Sequence, residues 1–255
     1  MKINPEFKKV AIQAAEEAGK VLKKNFRKRK RVWQKAGRVI EFVTDADVLS
    51  EETIRKIIKG NFPDHDILGE EKGGNIGKGF TWVVDPLDGT SNYIIGLPLF
   101  SVCLCLLAKE KPILSVIFNP LLHELYFAEK GKGAFLNGEK INVNQISNLS
   151  QSLLGFNKGK DLVGGLKILT KIAPFLRTTR FCGGSIELCK TAAGKIEGFI
   201  ASKPQYYDMA AGAFLVVEAG GKATDFKGKE YNLDSRNIIV TNRRIHKKIL
   251  ELIKD

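Results

Sequence analysis

Two aspartates three residues apart, Asp85 and Asp88, close an apolar run in the stretch Trp82-Val83-Val84-Asp85-Pro86-Leu87-Asp88-Gly89-Thr90-Ser91-Asn92. On a turn, carboxylates at that spacing converge on one point. Converging anions repel unless a cation lies between them, and all-oxygen donors select Mg²⁺, Mn²⁺ or Ca²⁺ over zinc. Pro86 stiffens the turn, and Gly89 lets the backbone approach a ligand. A helical turn starting at Gly89 would aim the N–H groups of Gly89, Thr90 and Ser91 outward as an anion cradle, which suits a metal-bridged phosphate. Either aspartate alone reads as a turn cap. Further acids in comparable settings change that: Glu70 and Glu71 follow an apolar stretch ending at Leu68-Gly69, and Asp208 follows Tyr206-Tyr207 ahead of the small-residue segment Met209-Ala210-Ala211-Gly212-Ala213. Acids delivered from three segments describe a two-metal site.

The elements that must position these groups follow from periodicity. Val10, Ala14, Ala18, Val21 and Leu22 predict an opening helix over Phe7 to Phe26, and Val48, Ile54, Ile57 and Ile58 a second one after Thr44-Asp45-Ala46-Asp47, ending near Gly60. Asp47 then lies close to the N-terminus of that helix. Between Phe80 and Phe127 the pattern turns to strands, 80–84, 101–107, 113–118 and 124–128, with short polar joints that predict an antiparallel sheet of hairpins. Beyond about Ser150 helix and strand alternate, with helices near 162–175, 185–194 and 209–219, the last stopped by Gly220-Gly221. The simplest division is two lobes, residues 1–150 with the antiparallel sheet and most of the acids, and 151–255 supplying Asp208.

Five segments together, Glu41 to Asp47, Gly69-Glu70-Glu71, Trp82 to Asn92, Gly131 to Gly138 and Asp208 to Gly221, resemble the inositol monophosphatase family of metal-dependent, lithium-sensitive sugar phosphatases, in the family's order and spacing. The resemblance runs through nearly the whole chain. It implies an α/β fold layered α/β/α/β/α, with the active site between two lobes, and frequently a homodimer. It also implies two or three Mg²⁺ ions, or Mn²⁺, with Glu70, Asp85 and the Leu87 carbonyl on the first and Asp85, Asp88 and Asp208 on the second. Glu70 would orient a water, and Thr90, bonded to Asp47, would help remove its proton. Substrate would meet Asp88, Gly89, Thr90, Ser91, Arg180, Gly184, Ser185 and Asp208, and Lys35 matches a basic residue of the family's active-site loop. Three departures stand out: Tyr207 replaces the family's usual Trp, Cys182-Gly183-Gly184-Ser185 replaces Gly-Ser/Thr-Ala-Ala, and the acid that grips inositol in animal enzymes aligns near Ala201 or Ser202. With that acid missing, and with Arg180 and Lys203 suited to a second phosphate, the expectation is a broad sugar phosphatase acting on inositol 1-phosphate and fructose 1,6-bisphosphate.

Composition narrows the rest. The chain has 255 residues, 44% hydrophobic and 27% charged, with 41 Lys and Arg against 28 Asp and Glu for a net charge of +13. Disorder and repetition are excluded, and the longest apolar run, 97–108, is shorter than a membrane helix. The charged N-terminus lacks a secretory pattern, so a cytoplasmic protein is expected. The basic excess favours anionic ligands and weak, nonspecific nucleic-acid binding at most, because the cluster from Lys23 to Arg31 holds one aromatic residue. A non-catalytic RNA or transcription-complex module would leave the carboxylates without a role. A haloacid dehalogenase-like phosphatase with an aspartyl nucleophile needs D-x-D, whereas Asp85 and Asp88 are one residue further apart. Cys103, Cys105, Cys182 and Cys189 read as buried free thiols, His65 as a surface turn residue and His246 as a helix-surface residue.

Overall fold

The structure is a computed structural model that describes residues 3–28, 32–34, 42–157, 159–180 and 182–254. Helix α1 (Pro5–Asn25) starts where the Asn4 side chain accepts the Glu6 N–H at 3.0 Å and Pro5 occupies a first-turn position that needs no donor. A short antiparallel ribbon, β1 (Val32–Gln34) with β2 (Phe42–Thr44), leads into α2 (Asp45–Asn61). Thr44 and Asp47 form a capping box there, which fixes the start of α2 and, with it, the position of Asp47.

Strands β3 (Asp66–Gly69), β4 (Phe80–Asp88), β5 (Ser101–Ala108), β6 (Lys111–Asn119), β7 (Glu124–Glu129), β8 (Gly133–Leu136) and β9 (Glu139–Ile141) make a seven-stranded sheet in chain order. β3 runs parallel to β4, and the other neighbours are antiparallel. A five-residue helix, α3 (Thr90–Ile94), interrupts the connection from β4 to β5. The second sheet has the order β11-β10-β12-β14-β13, from β10 (Leu153–Asn157), β11 (Thr178–Arg180), β12 (Gly198–Ser202), β13 (Lys222–Thr224) and β14 (Asn237–Thr241). Helices α4 (Leu162–Ile172), α5 (Gly184–Ala192), α6 (Tyr206–Glu218) and α7 (His246–Lys254) complete the chain.

Side-chain alternation along the strands produces the layers. Trp82, Val84, Val102, Leu104 and Leu106 pack with α1 and α2, while Val83, Cys103, Cys105 and Leu107 pack toward α5 and α6 on the opposite face. The strands are therefore apolar at nearly every position, because both faces of the sheet are covered. On the far side of α5 and α6 lies the five-stranded sheet, whose outer face carries α4 and α7. The result is the five-layer α/β/α/β/α order. Helix α6 can fit between two sheets because it is small: a Cβ on Gly212 would lie 2.5 Å from a Leu188 methyl, so α5 and α6 approach closely. Among the described residues no helix is long and apolar enough to cross a membrane.

Several expectations need correction. His246 is 2% exposed, held between the hydroxyls of Thr224 and Thr241 at 2.9 Å each. Its helix face turns inward because α7 covers the small sheet. His65 is half-buried; its Nδ1 accepts the Trp82 indole N–H at 3.1 Å and its ring stacks on Phe62. Helix α6 begins at Tyr206, so Asp208 lies within its first turn rather than ahead of it. β4 runs on to Asp88 through a register shift between Asp85 and Asp88, because the chain pairs again with Ser101 after the irregularity. Cys103, Cys105 and Cys189 are buried free thiols as expected, whereas Cys182 is half-buried.

Candidate active site

The end of β4, the turn after β3, the first turn of α3 and the starts of α5 and α6 meet around one cavity of about 500 Å³. Glu70, Asp85, Leu87, Asp88, Gly89, Thr90, Ser91, Gly184 and Asp208 all line it. Oxygens of Glu70, Asp85 and Asp208 lie within 4.8 Å of one another. Asp88 stands outside this trio, its Oδ2 accepting the N–H of Ser185 at 3.0 Å and the Ser185 hydroxyl as well. Burial, then Glu70, Asp88 and Asp208, push the Asp85 carboxyl well above the ordinary carboxylate range. Burial also raises Asp88, and the two bonds from Ser185 oppose that rise. Three acids this close, one of them fully desolvated, are a donor set for hard divalent ions, and the residues present fit that role.

Local structure explains each placement. Asp85 Oδ1 accepts the Leu87 N–H at 3.0 Å, which bends β4 at Pro86. Gly89 has φ of +89°, and a Cβ there would lie 2.6 Å from the Leu99 carbonyl oxygen, so glycine is required. Thr90 Oγ1 lies 3.2 Å from Asp47 Oδ1 and 3.0 Å from the Leu87 carbonyl oxygen. Asp47 Oδ2 meanwhile accepts the N–H and hydroxyl of Thr44, at 2.8 and 2.5 Å. Desolvation outweighs these bonds and pushes the Asp47 carboxyl up to about 6. One aspartate thus caps α2 and touches the Thr90 hydroxyl.

The remaining expected contacts divide. Ser185 is fully buried behind Gly184, with its hydroxyl turned to Asp88. Arg180 is exposed, its guanidinium 3.4 Å from Cys182 Sγ, and is not among the cavity-lining residues. Lys203 and Lys160 do line the cavity, as does Tyr207, which supplies its aromatic wall. Ala201 and Ser202 are buried in β12. Lys35 and Glu41 lie outside the described residues.

Two supporting acids carry no recognisable sequence signal. Glu51, 0% exposed, accepts the N–H groups of Glu71 (2.7 Å) and Lys72 (3.2 Å) and thereby holds the turn bearing Glu70, while Arg55 pairs with it at 2.7 Å. Its spacing of four from Asp47 puts both on one face of α2, the one hint available. Buried Glu187 accepts the Cys182 N–H at 3.2 Å behind the cavity wall, and burial pushes its carboxyl up to about 8.

Comparisons with known proteins agree with this geometry. The model of the inositol monophosphatase family matches residues 4–255. Inositol monophosphatase 2 of Solanum lycopersicum is 36% identical over 253 residues, spanning 94% of this chain and 95% of that protein. The Nus factor SuhB of Pasteurella multocida is 33% identical over 252 residues, spanning 96% and 94%. Among solved structures, the Thermotoga maritima IMPase superposes with a TM-score of 0.91 at 31% identity, covering 98% of this chain and 97% of its own. With its carboxylate cavity, its five-layer order and these relatives, the chain belongs to the inositol monophosphatase family.

Proposed function

We propose that this chain is a Mg²⁺-dependent phosphomonoesterase that hydrolyses inositol 1-phosphate and sugar phosphates such as fructose 1,6-bisphosphate by direct attack of water. The observation that carries the reading is the approach of Glu70, Asp85 and Asp208 within 4.8 Å at the wall of the cavity. Glu70, Asp85 and the Leu87 carbonyl would hold one cation, and Asp85, Asp88 and Asp208 a second. When bound, such cations acidify water and stabilise the phosphoryl and leaving oxygens. Everything else falls to the chain. Thr90 has one hydroxyl proton; donated to Asp47, it leaves the Thr90 oxygen to accept a proton from water, so the pair forms a short relay to a buried carboxylate. Glu70 orients the water, and no side chain needs to become phosphorylated. Thr90, Ser91 and Asn92 of the first turn of α3 line the cavity, and their N–H groups, which have no partner within the helix, would receive the phosphate.

Substrate choice rests on Lys203 and Lys160, which line the same cavity, with Arg180 reaching it only through its contact with the lining residue Cys182. Small residues at Gly183 and Gly184 reject little, so breadth is expected. We also read residues 1–150 and 151–255 as two lobes of a cytoplasmic homodimer, with nucleic acid bound only through the charge of +13. Phosphate release from a panel of phosphomonoesters, with Mg²⁺ and with chelator, tests the activity. Asp208→Asn should keep the fold and lose most of the rate; full activity in chelator or in that variant overturns the assignment. In isotopically labelled water the label should enter phosphate within a single turnover, whereas trapping phosphate on Asp85 or Asp88 favours the covalent alternative. Lys203→Gln should raise the KM for fructose 1,6-bisphosphate more than that for inositol 1-phosphate, and equal changes would refute the second-phosphate contact.

A further inference from the structure

Asp88 ends β4 at the cavity wall, and the donors to its Oδ2 come from a different element. Both belong to Ser185 in the first turn of α5, the N–H at 3.0 Å and the hydroxyl. Ser185 is 0% exposed and does not line the cavity, so a substrate does not reach it. Behind it, Ser101 Oγ lies 2.7 Å from Ser185 Oγ, and Ser101 is the cross-strand partner of Asp88. A carboxylate only accepts, so Ser185 donates its single hydroxyl proton to Asp88 and Ser101 must be the donor in the serine pair. The hydroxyls therefore form a one-directional chain, Ser101 to Ser185 to Asp88. Helix α5 is packed directly on α6 through Leu188 and Gly212, so Ser185 and Asp208 approach the cavity from one packed pair of helices.

We infer that Ser185, backed by Ser101, is a positioning residue that acts through Asp88: by engaging Oδ2 it orients the carboxylate so that Oδ1 is left for the cation shared with Asp208. This rests on the metal-dependent reading above. Oriented, buried donors to a carboxylate hold it in one rotation before any cation arrives, and without them that ordering is charged against cation binding. Ser185 then governs cation affinity while leaving substrate contacts untouched, a role distinct from the sugar contact that its place in the sequence suggested.

The test titrates Mn²⁺ into chelator-treated protein, following free Mn²⁺ by electron paramagnetic resonance, with phosphate-release kinetics alongside. Ser185→Ala should weaken the weaker of the Mn²⁺ sites by about tenfold, the scale of one lost charge-assisted hydrogen bond. The substrate KM at saturating Mn²⁺ should stay unchanged. Ser185→Thr should restore affinity, and Ser101→Ala, which leaves the Asp88 bonds in place, should shift it in the same direction by about threefold. In an Asp88→Asn background Ser185→Ala should add nothing, because its route to the cation is gone. Wild-type Mn²⁺ affinity in Ser185→Ala, an undiminished effect in the Asp88→Asn background, or a raised KM with intact Mn²⁺ binding would each overturn the inference. Absence of Mn²⁺ binding by the wild-type protein would overturn the metal reading itself and this inference with it.

Discussion

Replacing Asp85 by Asn should stabilise the metal-free protein while removing its ability to gain stability from cations. Asp85 is 1% exposed, and its oxygens share a 4.8 Å neighbourhood with those of Glu70 and Asp208. Two unit charges 4.8 Å apart at an effective dielectric of about 20 repel by about 3.5 kcal/mol, and Asp85 faces two such neighbours. Proton uptake relieves part of this, because burial and the neighbouring acids raise its folded-state pKa well above the unfolded one. A carboxyl raised on folding contributes full stability below its unfolded pKa and loses it as pH rises through the folded value, so at neutral pH the native state is penalised. Asn removes both the charge and the titration. A net gain of about 3 kcal/mol is expected, one relieved pair. With an unfolding entropy of about 2.1 cal/mol/K per residue, 255 residues convert that gain into about 6 °C in Tm. Calorimetry in chelator and in Mg²⁺ reads both halves of the prediction. The wild type should rise by about 5 °C in Mg²⁺ at a hundredfold excess over Kd, and Asp85→Asn by little. A variant no more stable than wild type in chelator, or one that keeps the full Mg²⁺ shift, would refute the reasoning.

Asp47 must be ionised to accept the Thr90 proton, and with its carboxyl pushed up to about 6 the rate should fall as pH drops below that value. Thr90→Val should lower kcat by about 10²-fold or more with little change in Tm, and a variant retaining full rate dismisses the relay. His246 is held neutral, its pKa pushed down to about 4 by burial. The unfolded chain takes up that proton first, so stability present above about 6.5 should drain away as pH falls to about 4, by about 3 kcal/mol, and His246→Gln should flatten urea-measured stability across that window. Gly212→Val would press a side chain onto Leu188, whose methyl lies 2.5 Å from where an ideal Cβ would sit. Overpacking of that kind costs about 1–3 kcal/mol, which a denaturant midpoint would register, and it should weaken Mn²⁺ binding as well because α5 and α6 carry Ser185 and Asp208.

Much of the site was legible because the chain writes its chemistry locally. Asp85, Pro86, Asp88, Gly89 and Thr90 occupy one bent strand end, and with Glu70 and Asp208 from two other segments they pointed to metal ions and a phosphate; the family likeness then added Asp47 and the division of ligands. The strands between Phe80 and Glu129 were visible for the same reason: apolar runs broken by short polar joints are a local signal. Other features depended on neighbours distant in the chain. Glu51 looks like any acid on an amphipathic helix until the turn after β3 places its N–H groups against it. Ser185 and Ser101 lie 84 positions apart, and their shared route to Asp88 exists only because α5 packs against the end of β5. His246 and His65 were misjudged because an inward helix face and an aromatic cluster depend on what covers them. Spacing along the chain determined which groups could do chemistry; packing between layers decided which oxygen of each carboxylate is engaged, because that choice is made by donors from another element.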